Sequence, residues 1–142
     1  MAHVRVKCLH PNARPPKGAY VGDSGLDLAA CLDSVIVIEP GEREMIPTGL
    51  AFELPFGHEA QIRPRSSLSA KGIVVAFGTC DFGYRGEYKV VLYNFSNEKY
   101  AIHDGDRIAQ VVVAPVTSVQ VEVVEELTET SRGLLGFGSS GV

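Results

Sequence analysis

Two stretches of the 142-residue chain combine residue types suited to holding an anion. From Ala60 to Cys80 there is no acidic residue, while Arg63, Arg65 and Lys71 fall inside it, so an anion bound there would meet positive charge unopposed by carboxylates. At the far end, SRGLLGFGSSGV (131–142) sets one guanidinium, Arg132, and one aromatic ring, Phe137, among glycines and serines. Such a run cannot hold a regular element by itself and reads as a flexible arm. Chain ends commonly fray, yet a cation and a ring on a loose tail could close over a phosphorylated aromatic ligand. His3, His10, His58 and His103 have no paired metal-ligand spacing and read as surface or loop histidines. Cys8, Cys31 and Cys80 are odd in number and widely separated, with no Cys-x-x-Cys pair, which argues for reduced thiols over a disulfide framework or a zinc site.

The elements that must position these groups read as short strands. Val35-Ile36-Val37-Ile38 stops at Pro40-Gly41, and Val119, Val121 and Val123 alternate with polar residues at the period of a half-buried strand. Lys89 to Tyr93 and Ile108 to Val113 are further candidates, and their spacing suggests successive antiparallel strands. Ala51 to Leu54 and Glu59 to Arg63 flank Pro55-Phe56-Gly57 as strand, turn, strand. One short helix is expected, with Ser66 or Ser67 capping Leu68 to Lys71 and Gly72 closing it in a left-handed conformation. Many short strands without a long amphipathic helix predict an all-β sandwich or jelly roll. No repeat, linker or boundary interrupts the chain, so residues 1–142 read as one domain, at about 150 residues per domain.

Composition limits the function classes. With 45% hydrophobic and 21% charged residues the chain is not disordered as a whole, and a chain of this size buries roughly 68–70% of its unfolded surface. Thirteen Lys plus Arg against 17 Asp plus Glu give a net charge of -4, which excludes a broad electrostatic grip on nucleic acid. No apolar run approaches the ~18 residues of a membrane span, and no apolar segment follows the first charges as in a signal peptide. The expected compartment is the cytoplasm, or also the nucleus if the source is eukaryotic or viral.

Five segments, in order, closely resemble the motif set of the trimeric dUTP pyrophosphatases (dUTPases): SGLDLAA (24–30), RPRSSLSAKGI (63–73), GTCDFGYRGEY (78–88), GDRIAQVVV (105–113) and SRGLLGFGSSG (131–141). The resemblance implies a jelly-roll subunit, a homotrimer with active sites at subunit interfaces, and hydrolysis of dUTP to dUMP and pyrophosphate. That reaction limits uracil in DNA and supplies dUMP for dTMP synthesis. It also implies roles. Asp81, on what reads as the tight turn of a hairpin, activates the water that attacks the α-phosphorus, a task open to a carboxylate within hydrogen-bond reach; taken alone, an Asp beside glycine would cap a turn. Backbone groups of Gly78, Thr79 and Cys80 pair with uracil, and a mismatched base would leave buried polar groups unpaired at about 1–3 kcal/mol each. Tyr84 packs under the deoxyribose, where a ribose 2′-hydroxyl finds no partner. Arg65 and Ser66 bind the phosphates, with Ser66 near the departing bridging oxygen; Ser67, Lys89 and Gln110 join them. In the arm, Arg132 takes the outer phosphates, Phe137 stacks on uracil, and Gly138 and Ser139 supply close donors. Mg2+ accompanies the triphosphate with Asp27 near its waters. Arg107 reads as a structural partner of Asp104 or Asp106.

Some positions depart from the family pattern. Ser67 stands where glycine is more usual, Phe77 and Cys80 replace small and branched residues, and Leu134-Leu135 lies where many relatives are more polar. Two rival readings remain. The Arg65-Ser66-Ser67-Leu68 string also resembles dCTP deaminases, but their proton-shuttling glutamate would fall on Val91. A catalytically silent jelly-roll binding or signalling module is opposed by Asp81, Tyr84, Ser66 and Arg132 standing together.

Overall fold

The computed structural model describes residues 1–141. Ten strands and one helix follow in order: β1 (Arg5–Cys8), β2 (Leu26–Ala29), β3 (Ile36–Ile38), β4 (Arg43–Glu53), β5 (His58–Arg63), α1 (Ser66–Ser69), β6 (Ile73–Val75), β7 (Gly78–Cys80), β8 (Glu87–Asn94), β9 (Tyr100–Ile102) and β10 (Arg107–Pro115). They form two four-stranded antiparallel sheets, ordered β1-β4-β8-β6 and β2-β10-β5-β7, with a two-stranded β3-β9 ribbon beside them. This is the expected all-β jelly-roll sandwich.

Alternation explains the core. Tyr88, Val90 and Leu92 on β8 point inward and meet Ile46 and Leu50 of β4, while Leu28, Ala60, Ile62 and Val111 come from the facing sheet. Each fully buried aliphatic or aromatic side chain contributes about 1.5–3 kcal/mol. The long β4 shifts register between Pro47 and Ala51, because Pro47 lacks an N–H and Gly49 turns left-handed at φ +68. A Cβ at Gly49 would lie 2.9 Å from Ala13 and 3.0 Å from the Cys31 thiol, so the bulge is closed to larger residues. Buried Asn94 joins the ribbon to the first sheet: its amide donates to the carbonyls of Ile38 (2.9 Å) and Glu98 (2.7 Å) and accepts from Ser96. The three cysteines are free.

Four expectations are corrected. Val119 to Val123 is not a strand: these valines are 79–94% exposed, and among the described residues no strand pairs with them. The strands at 89–93 and 108–113 do not pair, since both edges of β8 are taken by β4 and β6 and both edges of β10 by β2 and β5. The turn bearing Asp81 likewise joins strands of different sheets, not the two arms of a hairpin. Finally, α1 starts at Ser66 with Arg65 as its N-cap and no side-chain cap, leaving the Ser66 and Ser67 hydroxyls at the surface; Gly72 does close the helix at φ +81.

Candidate active site

The first cluster forms where β2 and β10 pair. Gln110 lies opposite Asp27 on one side and Arg63 of β5 on the other, so strand register alone draws these side chains to one end of the sheet. Arg65, just after β5, donates through Nε to Asp27 Oδ1 at 3.0 Å and through Nη1 to the Arg107 carbonyl at 3.1 Å. Arg107 Nη1 donates to Asp27 Oδ2 at 3.2 Å, and Gln110 Nε2 to the Pro64 carbonyl at 2.9 Å. Asp27 and Arg65 are about one-fifth exposed, so this pair is drier than an ordinary surface bridge. Gly25 makes room: a Cβ there would stand 1.9 Å from Gln110 Oε1.

Ala19, Tyr20, Asp23, Ser24, Gly25, Asp27, Arg65, Arg107 and Gln110 line a cavity of about 380 Å3. Its wall carries two guanidiniums and two carboxylates, so a polyphosphate would gain by bringing a cation with it. Both oxygens of Asp27 already accept N–H donors, which suits contact with a cation's waters better than direct ligation. Among the described residues no group of three or more His, Cys, Asp or Glu side chains is arranged to hold a metal. Asp27 therefore fits a place beside the waters of a magnesium ion.

The expected partners of Arg107 are otherwise engaged. Asp104 accepts from Arg14 Nη2 and from the Leu32 N–H, both at 2.9 Å, and Asp106 accepts from the His103 N–H at 2.8 Å. Arg107 is thus a wall of the cavity, a role its nearness in sequence to two aspartates concealed. Asp23 was also missed; its spacing of four from Asp27 around Ser24-Gly25 was the available signal.

The second cluster surrounds β7. This strand is the edge of its sheet, paired on one side with β5 (Gly78 opposite Ile62, Thr79 opposite Gln61), and its other side presents free backbone groups that a flat base edge could pair with. The chain then turns: the Tyr84 N–H donates to the Asp81 carbonyl at 3.0 Å, and Arg85 Nη1 holds the turn through the carbonyls of Phe82 (2.7 Å) and Tyr84 (3.2 Å). Asp81 is exposed and lines a cavity of about 350 Å3 with Phe56, His58, Glu59, Phe82 and Val116. Tyr84 stands at the surface, its hydroxyl donating to the Glu87 carbonyl at 3.1 Å. Cys80 is buried, and that burial pushes its thiol pKa up, so it is a packing residue and not a nucleophile.

Within one chain, then, Asp27, Arg65 and Gln110 share a cavity beside which Ser66 and Ser67 begin the helix, Gly78 to Asp81 and Tyr84 lie along β7 and its turn, and Lys89 and the arm residues line neither cavity. Lys89 is on β8, its ammonium 4.0 Å from Glu87. Arg132 donates to the Leu135 carbonyl inside its own arm, Phe137 is fully exposed, and Gly138 and Ser139 are exposed beside it. The expected arm, 131–142, is described to residue 141; Val142 lies outside the described residues.

The dUTPase family model matches residues 12–141. The deoxyuridine 5′-triphosphate nucleotidohydrolase of Hydrogenobaculum sp. is 51% identical over 140 residues, covering 96% of each chain. The dUTPase of Staphylococcus bacteriophage 80alpha, solved with dUpNHpp, superposes with a TM-score of 0.91 at 31% identity over 99% of each chain. A mutant dUTPase of the S. aureus phage phi11, whose structure details the coordination of a structural Mg(II) ion, superposes at 0.80 with 27% identity over 87% of this chain and 97% of that one.

Proposed function

The chain belongs to the dUTPase family, and from that premise we propose how its own residues perform the family's work. It is a dUTP diphosphatase, hydrolysing dUTP to dUMP and pyrophosphate. The base lies along the free edge of β7, pairing with the backbone of Gly78, Thr79 and Cys80, and the deoxyribose rests on Tyr84. The observation that carries this reading is the continuity of that edge with Asp81: a base held there sets its α-phosphate within reach of the next residue's carboxylate.

Asp81 accepts a proton from water as the water oxygen bonds to the α-phosphorus; the bond to the α,β-bridging oxygen breaks, and pyrophosphate leaves with the electron pair. Arg65, Ser66, Ser67, Lys89 and Gln110 hold the chain of phosphates, with the Ser66 hydroxyl donating to the departing oxygen. Asp27 would face the waters of a magnesium ion arriving with the triphosphate, and such an ion would supply positive charge for the departing pyrophosphate. Arg132 closes on the outer phosphates, Phe137 covers the base, and Gly138 and Ser139 add donors.

Asp27, Arg65 and Gln110 line one cavity, Asp81 lines another, and Lys89 and the arm line neither, so we place the active site at subunit interfaces of a homotrimer. The exposed valines of residues 116–124 support this, since each would find cover on a neighbour. The full chain acts as one unit, in the cytoplasm, or also in the nucleus of a eukaryotic or virus-infected cell; among the described residues no helix is long and apolar enough to cross a membrane. The deciding assay offers dUTP, dCTP and UTP and scores pyrophosphate and ammonia. Pyrophosphate from dUTP alone is expected; ammonia from dCTP or silence on every substrate would overturn it. Truncation before Ser131 is expected to leave a folded trimer with turnover lowered about tenfold or more, as when a closing lid is lost.

A further inference from the structure

Three aromatic rings run in line from the core to the turn that carries Asp81. Buried Phe52 of β4 stacks on Tyr88 of β8, with centroids 4.2 Å apart and planes inclined by 23°. Tyr88 stacks in turn on Tyr84, 6.0 Å away at 24°. Tyr88 is 1% exposed and Tyr84 47%, so the ring at the surface is backed by one packed into the core. Two further contacts fix the outer ring. Its hydroxyl donates to the Glu87 carbonyl, and it lies so close over Gly86 that a Cβ there would be 2.4 Å from Tyr84 Oη.

The part of Tyr88 that matters here is its ring. Its hydroxyl is buried beside the Cys80 thiol and makes no hydrogen bond among the described residues. Discrimination against a 2′-hydroxyl works by exclusion: the extra oxygen must meet a wall that neither accepts it nor yields. A ring free to tip would let that hydroxyl reach water or a backbone group, and the penalty would vanish.

Resting on the reading of Tyr84 as the sugar platform, we propose that Tyr88 is a positioning residue for sugar discrimination, holding the Tyr84 ring at fixed height and tilt. The test is kcat/KM for UTP divided by kcat/KM for dUTP, measured on the same preparation of full-length enzyme. A variant that merely folds less well loses both substrates in proportion, so this ratio is untouched by a structural role. Tyr88→Leu is expected to raise the ratio about tenfold, and Tyr88→Phe, which keeps the stack, to stay within about twofold of the parent. Should Tyr88→Leu yield too little protein, Phe52→Leu releases the stack from behind, and the same rise is expected. Tyr84→Leu separates the two readings. If Tyr84→Leu raises the ratio while Tyr88→Leu and Phe52→Leu do not, the positioning role is wrong and the platform stands. An unchanged ratio in Tyr84→Leu removes the platform itself. A Tyr88→Phe effect as large as that of leucine would show that the hydroxyl, not the ring, is at work, and would also overturn the proposal.

Discussion

Residues 88–92 and 119–123 carry the same alternation of apolar side chains, yet they end in opposite places. On β8, Tyr88, Val90 and Leu92 are at most 1% exposed; Val119, Val121 and Val123 are 79%, 84% and 94% exposed and belong to no strand. The difference lies in the neighbours. Strand β8 has β4 on one edge and β6 on the other, which satisfy its backbone and give its inward face a core to enter. Among the described residues, no strand pairs with 119–123. Alternation states that a segment can make a half-buried strand, but not which molecule buries it. Under the homotrimer proposed above, residues 5–115 are self-sufficient for their core and residues 116–141 would lean on a second copy.

The largest effect expected falls in the self-sufficient part. Asp81→Asn keeps the shape of the turn, because the bond that closes it uses the Asp81 backbone carbonyl. Turnover should fall at least ~10²-fold, the usual loss with a general base, while dUpNHpp still binds in calorimetry. Unchanged turnover would free Asp81 of its role and leave this region purely structural. Next comes the dependent part. Val121→Lys would bury an unpaired ammonium at each subunit contact, costing about 3 kcal/mol or more apiece. Sedimentation should show smaller species and activity should become concentration-dependent, with the protomer still folded by circular dichroism. A variant that sediments like the parent would break the comparison, since the exposed valines would then have no partner to lose.

Smaller again is Gly25→Ala. Its Cβ would meet Gln110 Oε1 at 1.9 Å, and that side chain is flexible enough to swing away from Pro64. KM for dUTP should rise several-fold with kcat nearly constant, since an interaction present throughout the reaction is lost. An equal fall in kcat would instead place Gln110 in the transition state.

What could be read beforehand follows the same line. The strands at 35–38, 51–54, 59–63, 89–93 and 108–113 were legible because their burial is decided by local alternation and turn residues. So was the helix ended by Gly72. The pairing of strands was not, since β7 and β8 are close in sequence but belong to different sheets, and only the competition for edges decides that. In the active site, the residue types were legible and the partners were not. Arg107 stands next to Asp106, yet its guanidinium goes to Asp27, eighty residues away, because Asp106 is already capping the turn at His103. Side-chain pairing across the sheet is set by register, which no local window contains.

The mildest expected change concerns the bond that ties the N-terminal segment to the turn before β10. Asp104 accepts from Arg14 and from the Leu32 N–H, and these two, the guanidinium first, hold its carboxyl below the usual carboxylate range. The folded pKa thus lies below the unfolded value of about 3.9. Stability from this group is present above that unfolded value and is lost as pH falls through the folded one. Arg14 is raised in turn, chiefly by the same bond, so its share is present at every pH below its ordinary value and adds no acid limb. Asp104→Asn keeps an acceptor for Leu32 but cannot titrate. Its melting temperature should lie slightly under the parent's at pH 7, and the gap should close as both are scanned from pH 4 toward pH 2. Parallel curves across that range would mean that the pair adds nothing to the join, and that the self-sufficient half is held by its core alone.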